Sequence, residues 1–294
     1  MRPSRIFVND HGLRTGWRLL IWYAVADELG QGLWFIVSKV VPSVNNPPFL
    51  RPQNLILGGI NLAVTALIAS LIMGGIERRT LRDYFIPTRD FFGRQFWQGL
   101  LWGFLAVSLL IGVIAAFRGY RIKGLAIHGS LLVGLIPLWF VATVVGGAAE
   151  EIYYRSYMLR TLADGIWFWP VAILLSIGFG AEHYFYKPYE RWEDFACTGL
   201  LGLFCCLAIR RTGSLRFVIG FHGAFNWSAM FFYSGRNGGE FGAGHLFQTS
   251  WSGPDWLTGG MLGPEASRLV FIVIALLFII FPRVYRAQST QSHE

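Results

Sequence analysis

The chain has 294 residues, of which 54% are hydrophobic and 14% are charged, and its mean hydropathy is +0.46. This composition excludes an ordinary soluble domain and predicts a polytopic membrane protein. The formal net charge of +8 does not indicate nucleic-acid binding, because the basic residues lie between apolar segments. Membrane topology and anionic lipid explain that placement better.

Apolar segments near the length needed to cross a hydrocarbon core of ~30 Å recur along the whole chain. They lie near residues 17–41, 54–76, 95–117, 129–149, 168–185, 195–209, 215–234 and 269–282. We therefore predict an all-α fold with about eight transmembrane helices in one bundle, and no soluble second domain. The stretches around 118–128 and 186–194 allow interfacial helices between the spans.

The distribution of Lys and Arg predicts the orientation of these helices. With the N-terminus inside, the cytoplasmic side holds about sixteen basic residues, including Arg2 and Arg5 of the N-terminal tail, and the other side about nine. This bias places both termini in the cytoplasm, although the basic cluster at 118–123 opposes it.

The longest connection between apolar segments, residues 235–267, is rich in glycine. A connection of this length often has a function, such as that of a lid. The simpler interpretation, which the composition favours, is a floppy external loop that dips partly into the interface.

Two adjacent carboxylates, Glu150 and Glu151, follow the fourth apolar segment. A charge inside a bilayer is costly and marks a functional site by default. Glu151 and Arg155 are four residues apart on one predicted helix, so they can form an ion pair, whereas Glu150 points about 100° away. Glu150 is therefore the candidate general base. The alternative is that both acids simply mark a helix end at the interface.

Two histidines and an asparagine lie in later apolar segments, at His183, His222 and Asn226. Counting about 1.5 Å per helical residue from the nearest polar turns places Glu150 and His183 about 20 Å deep, and Asn226 about 18 Å deep. His222 lies one turn from Asn226 on the same helix face. Three helices should therefore bring these four side chains to a common level.

This set of residues suits peptide hydrolysis without a covalent intermediate. Glu150 and His183 can activate a water molecule, while His222 and Asn226 can donate hydrogen bonds to the oxyanion. The alternative makes Glu150, His183 and His222 ligands of a Zn²⁺ ion. The chain has no HExxH motif, and asparagine is a poor zinc ligand, so the scheme without a metal or other cofactor is favoured.

Together, three motifs resemble those of the type II CAAX prenyl endopeptidases and their bacterial relatives, the CAAX protease and bacteriocin-processing (CPBP, or Abi) family. The chain carries EExxxR at Glu150 to Arg155, FxxxH at Phe179 to His183 and HxxxN at His222 to Asn226. The motifs occur in the order typical of the family, and the similarity covers roughly residues 125–235.

The resemblance implies an all-helical intramembrane endopeptidase, in which Glu150 and His183 activate water and His222 and Asn226 stabilise the oxyanion. It also implies a multi-pass protein of a bacterial cell membrane that acts on a membrane-embedded or lipidated substrate, prenylated or not. On this basis the single membrane domain divides into N-terminal helices (1–120), a catalytic core (121–235) and the Gly-rich loop with the last helix (236–294).

Two other functions remain open from the sequence. One is a catalytically idle relative that acts as an immunity or scaffold protein, and the other is a proton-coupled transporter. The complete set of four polar residues argues against the first, and the lack of two matching broken-helix halves against the second. Asp27, Glu28 and Glu182 are further acids that either tune the site or face a wet cavity.

Overall fold

The computed structural model describes residues 8–9, 12–46, 50–189 and 191–286. The tail residues Arg2 and Arg5 and the chain end after residue 286, both predicted to be cytoplasmic, lie outside this part. The described residues are predominantly helical, which confirms the all-α polytopic fold class.

The helices of the described residues, numbered in chain order, are α1 (Thr15–Val40), α2 (Pro52–Glu77), α3 (Arg94–Ala116), α4 (Ser130–Ile152), α5 (Met158–Gly165), α6 (Phe168–Tyr186), α7 (Trp192–Thr212), α8 (Arg216–Asn226), α9 (Asp255–Thr258) and α10 (Val270–Val284). A π-helical turn at Tyr153–Tyr157 joins α4 to α5, and another at Trp227–Phe232 extends α8. Short 3₁₀ turns lie at Pro42–Asn45, Leu81–Tyr84 and Pro264–Ala266. Each apolar segment of the sequence thus contains a helix.

Four helices of the described chain are long and apolar enough to cross a membrane, judged by length and composition. They are α2, α3, α7 and the continuous helix over residues 130–165, and α10 is a shorter apolar helix. Helix α1 is equally long but carries Asp27 and Glu28 near its middle. The structure therefore supports a polytopic bundle, while the number of about eight spans stays a prediction.

The only sheets of the described residues are three pairs of short strands. One of these strands, β3 (Tyr120–Leu125), lies where the sequence allowed an interfacial helix. The strands are β1 (Val8–Asn9), β2 (Gly12–Leu13), β3 (Tyr120–Leu125), β4 (Arg236–Asn237), β5 (Glu240–Phe241) and β6 (Phe247–Trp251), paired β1–β2, β3–β6 and β4–β5, all antiparallel. The interfacial helix allowed at 118–128 is wrong, because β6 satisfies the backbone groups of β3 from far along the chain. Around 186–194 the chain is irregular until α7 begins.

The glycine-rich connection at 235–267 is built into the fold, so its interpretation as a floppy loop is wrong. It contains β4, β5, β6 and α9, and its side chains Leu246, Leu257 and Leu262 are buried. The indole of Trp139 donates a hydrogen bond of 3.0 Å to the carbonyl of Ala243. Because Glu240 and Glu265 line the large internal cavity, this segment forms part of the cavity wall.

An ion-pair network ties three helices together at one end of the bundle. The guanidinium of Arg18 on α1 donates two hydrogen bonds to the carboxylate of Glu77 at the end of α2. The hydroxyls of Tyr84 and Tyr157 donate to the same carboxylate, and Tyr157 also stacks on the ring of Trp22. This network, which we call the basic-end clamp, fixes the start of α1 against α2 and α5.

Candidate active site

One large cavity of about 1080 Å³ lies among α1, α2, α4, α6, α7 and α8. Glu150 reaches it from the end of α4, His183 from α6, and His222 and Asn226 from α8. The four side chains predicted to carry the chemistry therefore face a common space within the helix bundle.

Glu151 and His222 form the buried centre of this site. Oε1 of Glu151 accepts a hydrogen bond of 2.7 Å from Nη1 of Arg155 and lies 2.9 Å from Nδ1 of His222. Glu151 is fully buried and Arg155 is 1% exposed. The predicted Glu151–Arg155 ion pair is thus present, and the carboxylate also holds the His222 ring, a contact that sequence spacing did not predict.

Glu150 occupies a different environment from its neighbour. Its Oε2 atom lies 3.6 Å from Nε2 of His222, and it is a buried oxygen with no hydrogen-bond partner among the described residues. The side chain as a whole is 31% exposed, because it borders the cavity. Oε2 is therefore enclosed beside His222, and the exposed remainder of the side chain is what a molecule in the cavity can reach.

His183 does not meet Glu150 directly, although the sequence suggested that the two would face each other. Nδ1 of His183 lies 3.0 Å from the carbonyl of Phe179, one turn earlier on α6. Among the described residues its ring makes no ion pair with Glu150 within the 4.0 Å limit for such contacts. Both side chains line the same cavity, so they share a space that a substrate or water can enter.

Asn226 lines the cavity one helical turn beyond His222. Its side-chain amide makes no hydrogen bond to another described residue. The π-helical turn that follows begins at Trp227, so Asn226 ends the regular part of α8. The His222 and Asn226 side chains thus lie side by side, with the amide free to donate.

Small residues allow the helices of the site to approach closely. A Cβ atom added at Gly147 on α4 would lie 3.1 Å from the Cγ of His222, and one at Gly202 on α7 would lie 2.6 Å from Nη2 of Arg155. Gly146 and Gly178, by contrast, border open space. The sequence analysis did not predict the close approach at Gly202, because no sequence pattern indicates that the guanidinium of Arg155 lies beside it.

Further residues of the cavity wall escaped the sequence analysis. Tyr154, in the π-helical turn, donates a hydrogen bond to the carboxylate of Glu182. Thr198 on α7 and Asn61 on α2 also line the cavity. Isolated polar residues at single helix positions give no sequence signal, and only the packing of the helices shows which of them point inward. Asp27 lines the cavity as well.

The three donors of the alternative zinc site, Glu150, His183 and His222, all line the cavity. The described residues contain no group of three or more His, Cys, Asp and Glu side chains placed to hold a metal ion. Nδ1 of His222 is engaged by Glu151, and Nδ1 of His183 by a backbone carbonyl. Each histidine thus keeps its Nε2 atom for a water molecule, a substrate or a metal ion, so these contacts are compatible with both schemes.

A comparison with known families agrees with the motifs. Residues 132–228 match a family model described as type II CAAX prenyl endopeptidase Rce1-like. The matched segment includes Glu150, His183, His222 and Asn226. No curated protein matches the chain significantly. The family match and the apolar helices support an integral membrane protease of the CAAX type. The segment that carries the three motifs is thus similar to the Rce1-like family that those motifs resemble.

Proposed function

We propose that the protein is an intramembrane endopeptidase that hydrolyses a peptide bond of a membrane-associated protein or peptide with water activated by Glu150 and His183. The observation that carries this proposal is the position of Glu150, whose side chain lines the large cavity together with His183, His222 and Asn226 and is 31% exposed. The exposed part of this carboxylate can contact a water molecule or a substrate in the cavity, as a general base must.

In the proposed reaction, a water molecule in the cavity lies between Glu150 and His183. A His183 ring that donates its Nδ1 proton to the Phe179 carbonyl leaves the Nε2 lone pair to accept a hydrogen bond from that water. Glu150 takes the proton as the water oxygen attacks the carbonyl carbon of the substrate. The same proton then passes to the leaving amine nitrogen as the C–N bond breaks.

The developing oxyanion is stabilised by donors from α8. Nε2 of His222 and the amide of Asn226 border the cavity one helical turn apart. A His222 ring that is protonated on both nitrogens donates to Glu151 from Nδ1 and to the oxyanion from Nε2.

Glu151 and Arg155 serve as positioning residues in this scheme. Glu151 holds His222 through Nδ1, and Arg155 compensates the charge of Glu151 and packs over the ring of Phe179 at 4.5 Å. This arrangement fixes the rotation of the imidazole without contact between Glu151 and the reacting atoms.

The decisive test compares a deletion strain that carries wild-type protein, Glu150→Gln or the control Glu28→Gln. Glu28 is an exposed acid on α1 that does not line the cavity. Mass spectrometry of membrane proteins and secreted peptides should find substrate fragments with the wild type and Glu28→Gln, and none with Glu150→Gln. Each variant is first checked for expression and folding.

Fragments that persist with Glu150→Gln would refute the catalytic role. An idle scaffold or a transporter would instead give the same fragments with and without the wild-type protein. Cleavage in isolated membranes that a chelator abolishes and added zinc restores would reinstate the metal-dependent alternative.

A further inference from the structure

The wall of the active-site cavity carries more acidic than basic side chains. The two basic residues that line it are Arg155 and Lys187, whereas the acids are Asp27, Glu150, Glu151, Glu182, Glu240 and Glu265. Charges in a cavity with apolar walls act strongly on a bound ligand, because little water screens them.

Both basic side chains are already engaged by acids of the protein. Arg155 donates to Glu151 at 2.7 Å. Nζ of Lys187 lies 3.1 Å from Oδ1 of Asp194 and 3.8 Å from Oε2 of Glu265. A free C-terminal carboxylate of a substrate would therefore find no unpaired cation among the described residues of the wall.

Asp27 and Glu182, by contrast, have no basic partner within ion-pair distance among the described residues. Asp27 on α1 accepts a hydrogen bond of 2.7 Å from Gln31, and Glu182 on α6 accepts one from Tyr154. Both acids are exposed and line the cavity. They come from two different helices, and each carboxylate retains free acceptor capacity.

Two tyrosines, Tyr153 and Tyr154, line the cavity together with these two acids. Tyr153 is close enough to interact electrostatically with both Asp27 and Glu182, and its ring centroid lies 5.2 Å from that of Tyr154. Acidic groups combined with aromatic faces are the usual means of recognising an ammonium or guanidinium group. We call Asp27, Tyr153, Tyr154 and Glu182 the cation subsite.

A second observation, on another wall, also points to a bound ligand. Thr198 on α7 lines the cavity and is only 7% exposed, yet its hydroxyl has no hydrogen-bond partner among the described residues. The hydroxyl is accessible from the cavity, where the backbone of an extended substrate can be its hydrogen-bond partner. The cavity therefore has features for holding a peptide chain in addition to its surplus of acids.

We propose, on the basis of the proposed peptidase function, that the cavity selects substrate segments with a Lys or Arg side chain near the scissile bond. The cation subsite binds that side chain, and cleavage occurs at an internal bond without recognition of a free C-terminal carboxylate. The acids act partly by exclusion, since a carboxylate brought into the cavity meets like charges and no free cation.

The first test uses purified protein in liposomes and membrane-anchored quenched peptides. Within one series, the peptides are identical except at a single position that holds Arg, Gln or Glu. Different series place this position at different sites along the peptide. Each peptide is made once with an amidated C-terminus and once with a free one. We expect kcat/KM for the best Arg peptide to exceed that of its Gln partner about tenfold or more. Equal rates for Arg, Gln and Glu peptides, or a requirement for the free carboxylate, would overturn the inference.

The second test assigns the preference to the cation subsite. In the double variant Asp27→Asn, Glu182→Gln, the ratio of kcat/KM for Arg and Gln peptides should fall towards one. The control Glu28→Gln removes a neighbouring acid outside the cavity and should keep the wild-type ratio. An unchanged ratio in the double variant would show that these residues do not recognise the substrate.

Binding measurements separate this inference from the proposed function. The Glu150→Gln protein in nanodiscs is titrated with the same peptides, labelled with a fluorophore, and anisotropy reports affinity without turnover. Tighter binding of Arg peptides supports the specificity even if the wild type cleaves nothing, a result that would refute only the peptidase function. Binding without a charge preference overturns the specificity, whether or not cleavage occurs.

Discussion

Adjacent glutamates in one motif have different environments because a helix turns about 100° per residue. Glu151 is fully buried, with one oxygen shared between Arg155 and His222. The Glu150 side chain is 31% exposed where it lines the cavity. Two chemically identical side chains are therefore suited to different roles, a fixed acceptor that orients a ring and a base that is accessible to substrate.

Asn226 gives a test of the proposed oxyanion stabilisation. Asn226→Ala removes one donor to the oxyanion, and the loss of such a donor lowers kcat by about 10² to 10³-fold. KM should change little, because the interaction forms mainly in the transition state. Single-turnover and steady-state cleavage of the best peptide measure both constants.

A suitable control for this variant is Asn45→Ala, since Asn45 is exposed in the turn after α1 and does not line the cavity. Its kcat should equal that of the wild type. An Asn226→Ala protein with wild-type kcat, or one affected only in KM, would exclude the amide as an oxyanion donor.

At the scale of the elements, α8 carries two of the four proposed catalytic side chains and is positioned by α3. A Cβ atom added at Gly103 on α3 would lie 2.2 Å from the carbonyl oxygen of Phe221, next to His222. The backbones of the two helices are thus in direct contact, and any side chain at Gly103 must push them apart.

We predict that Gly103→Ala destabilises the protein by about 1–3 kcal/mol, the usual cost of overpacking. Gly112→Ala is the matched control, because a Cβ there would meet nothing within 4 Å. Thermal unfolding of both variants in detergent measures the difference. Cleavage by Gly103→Ala should fall as well, since α8 moves with respect to Glu150. Equal stability of the two variants would contradict the close contact.

At the scale of the whole molecule, the two ends of the bundle differ. The basic-end clamp of Arg18, Glu77, Tyr84 and Tyr157 lies at one end, and the β3–β6 pair follows α3 at the other. The positive-inside rule assigns the clamp end to the cytoplasm. This orientation is a prediction that the fold alone does not decide.

Cysteine labelling tests the orientation in intact cells. Thr88→Cys lies in the connection between α2 and α3, and Ser252→Cys lies next to the end of α3, where the Ser252 hydroxyl contacts the carbonyl of Arg118. Both positions are exposed, whereas the native Cys197, Cys205 and Cys206 are buried. A membrane-impermeant maleimide should label Ser252→Cys and not Thr88→Cys, and the reverse pattern would invert the topology.

The sequence by itself determined the membrane class, the position of each apolar helix and the three motifs, because hydropathy and short-range spacing are local properties. It also indicated the Glu151–Arg155 ion pair, since four residues make one helical turn. Only the tertiary structure decided that Glu151 holds His222 and that β3 pairs with β6. It also decided that Asp27, Glu182 and Thr198 share a cavity with Glu150. These contacts join residues far apart in sequence, and they depend on how the helices pack and rotate about their axes, which no local pattern encodes.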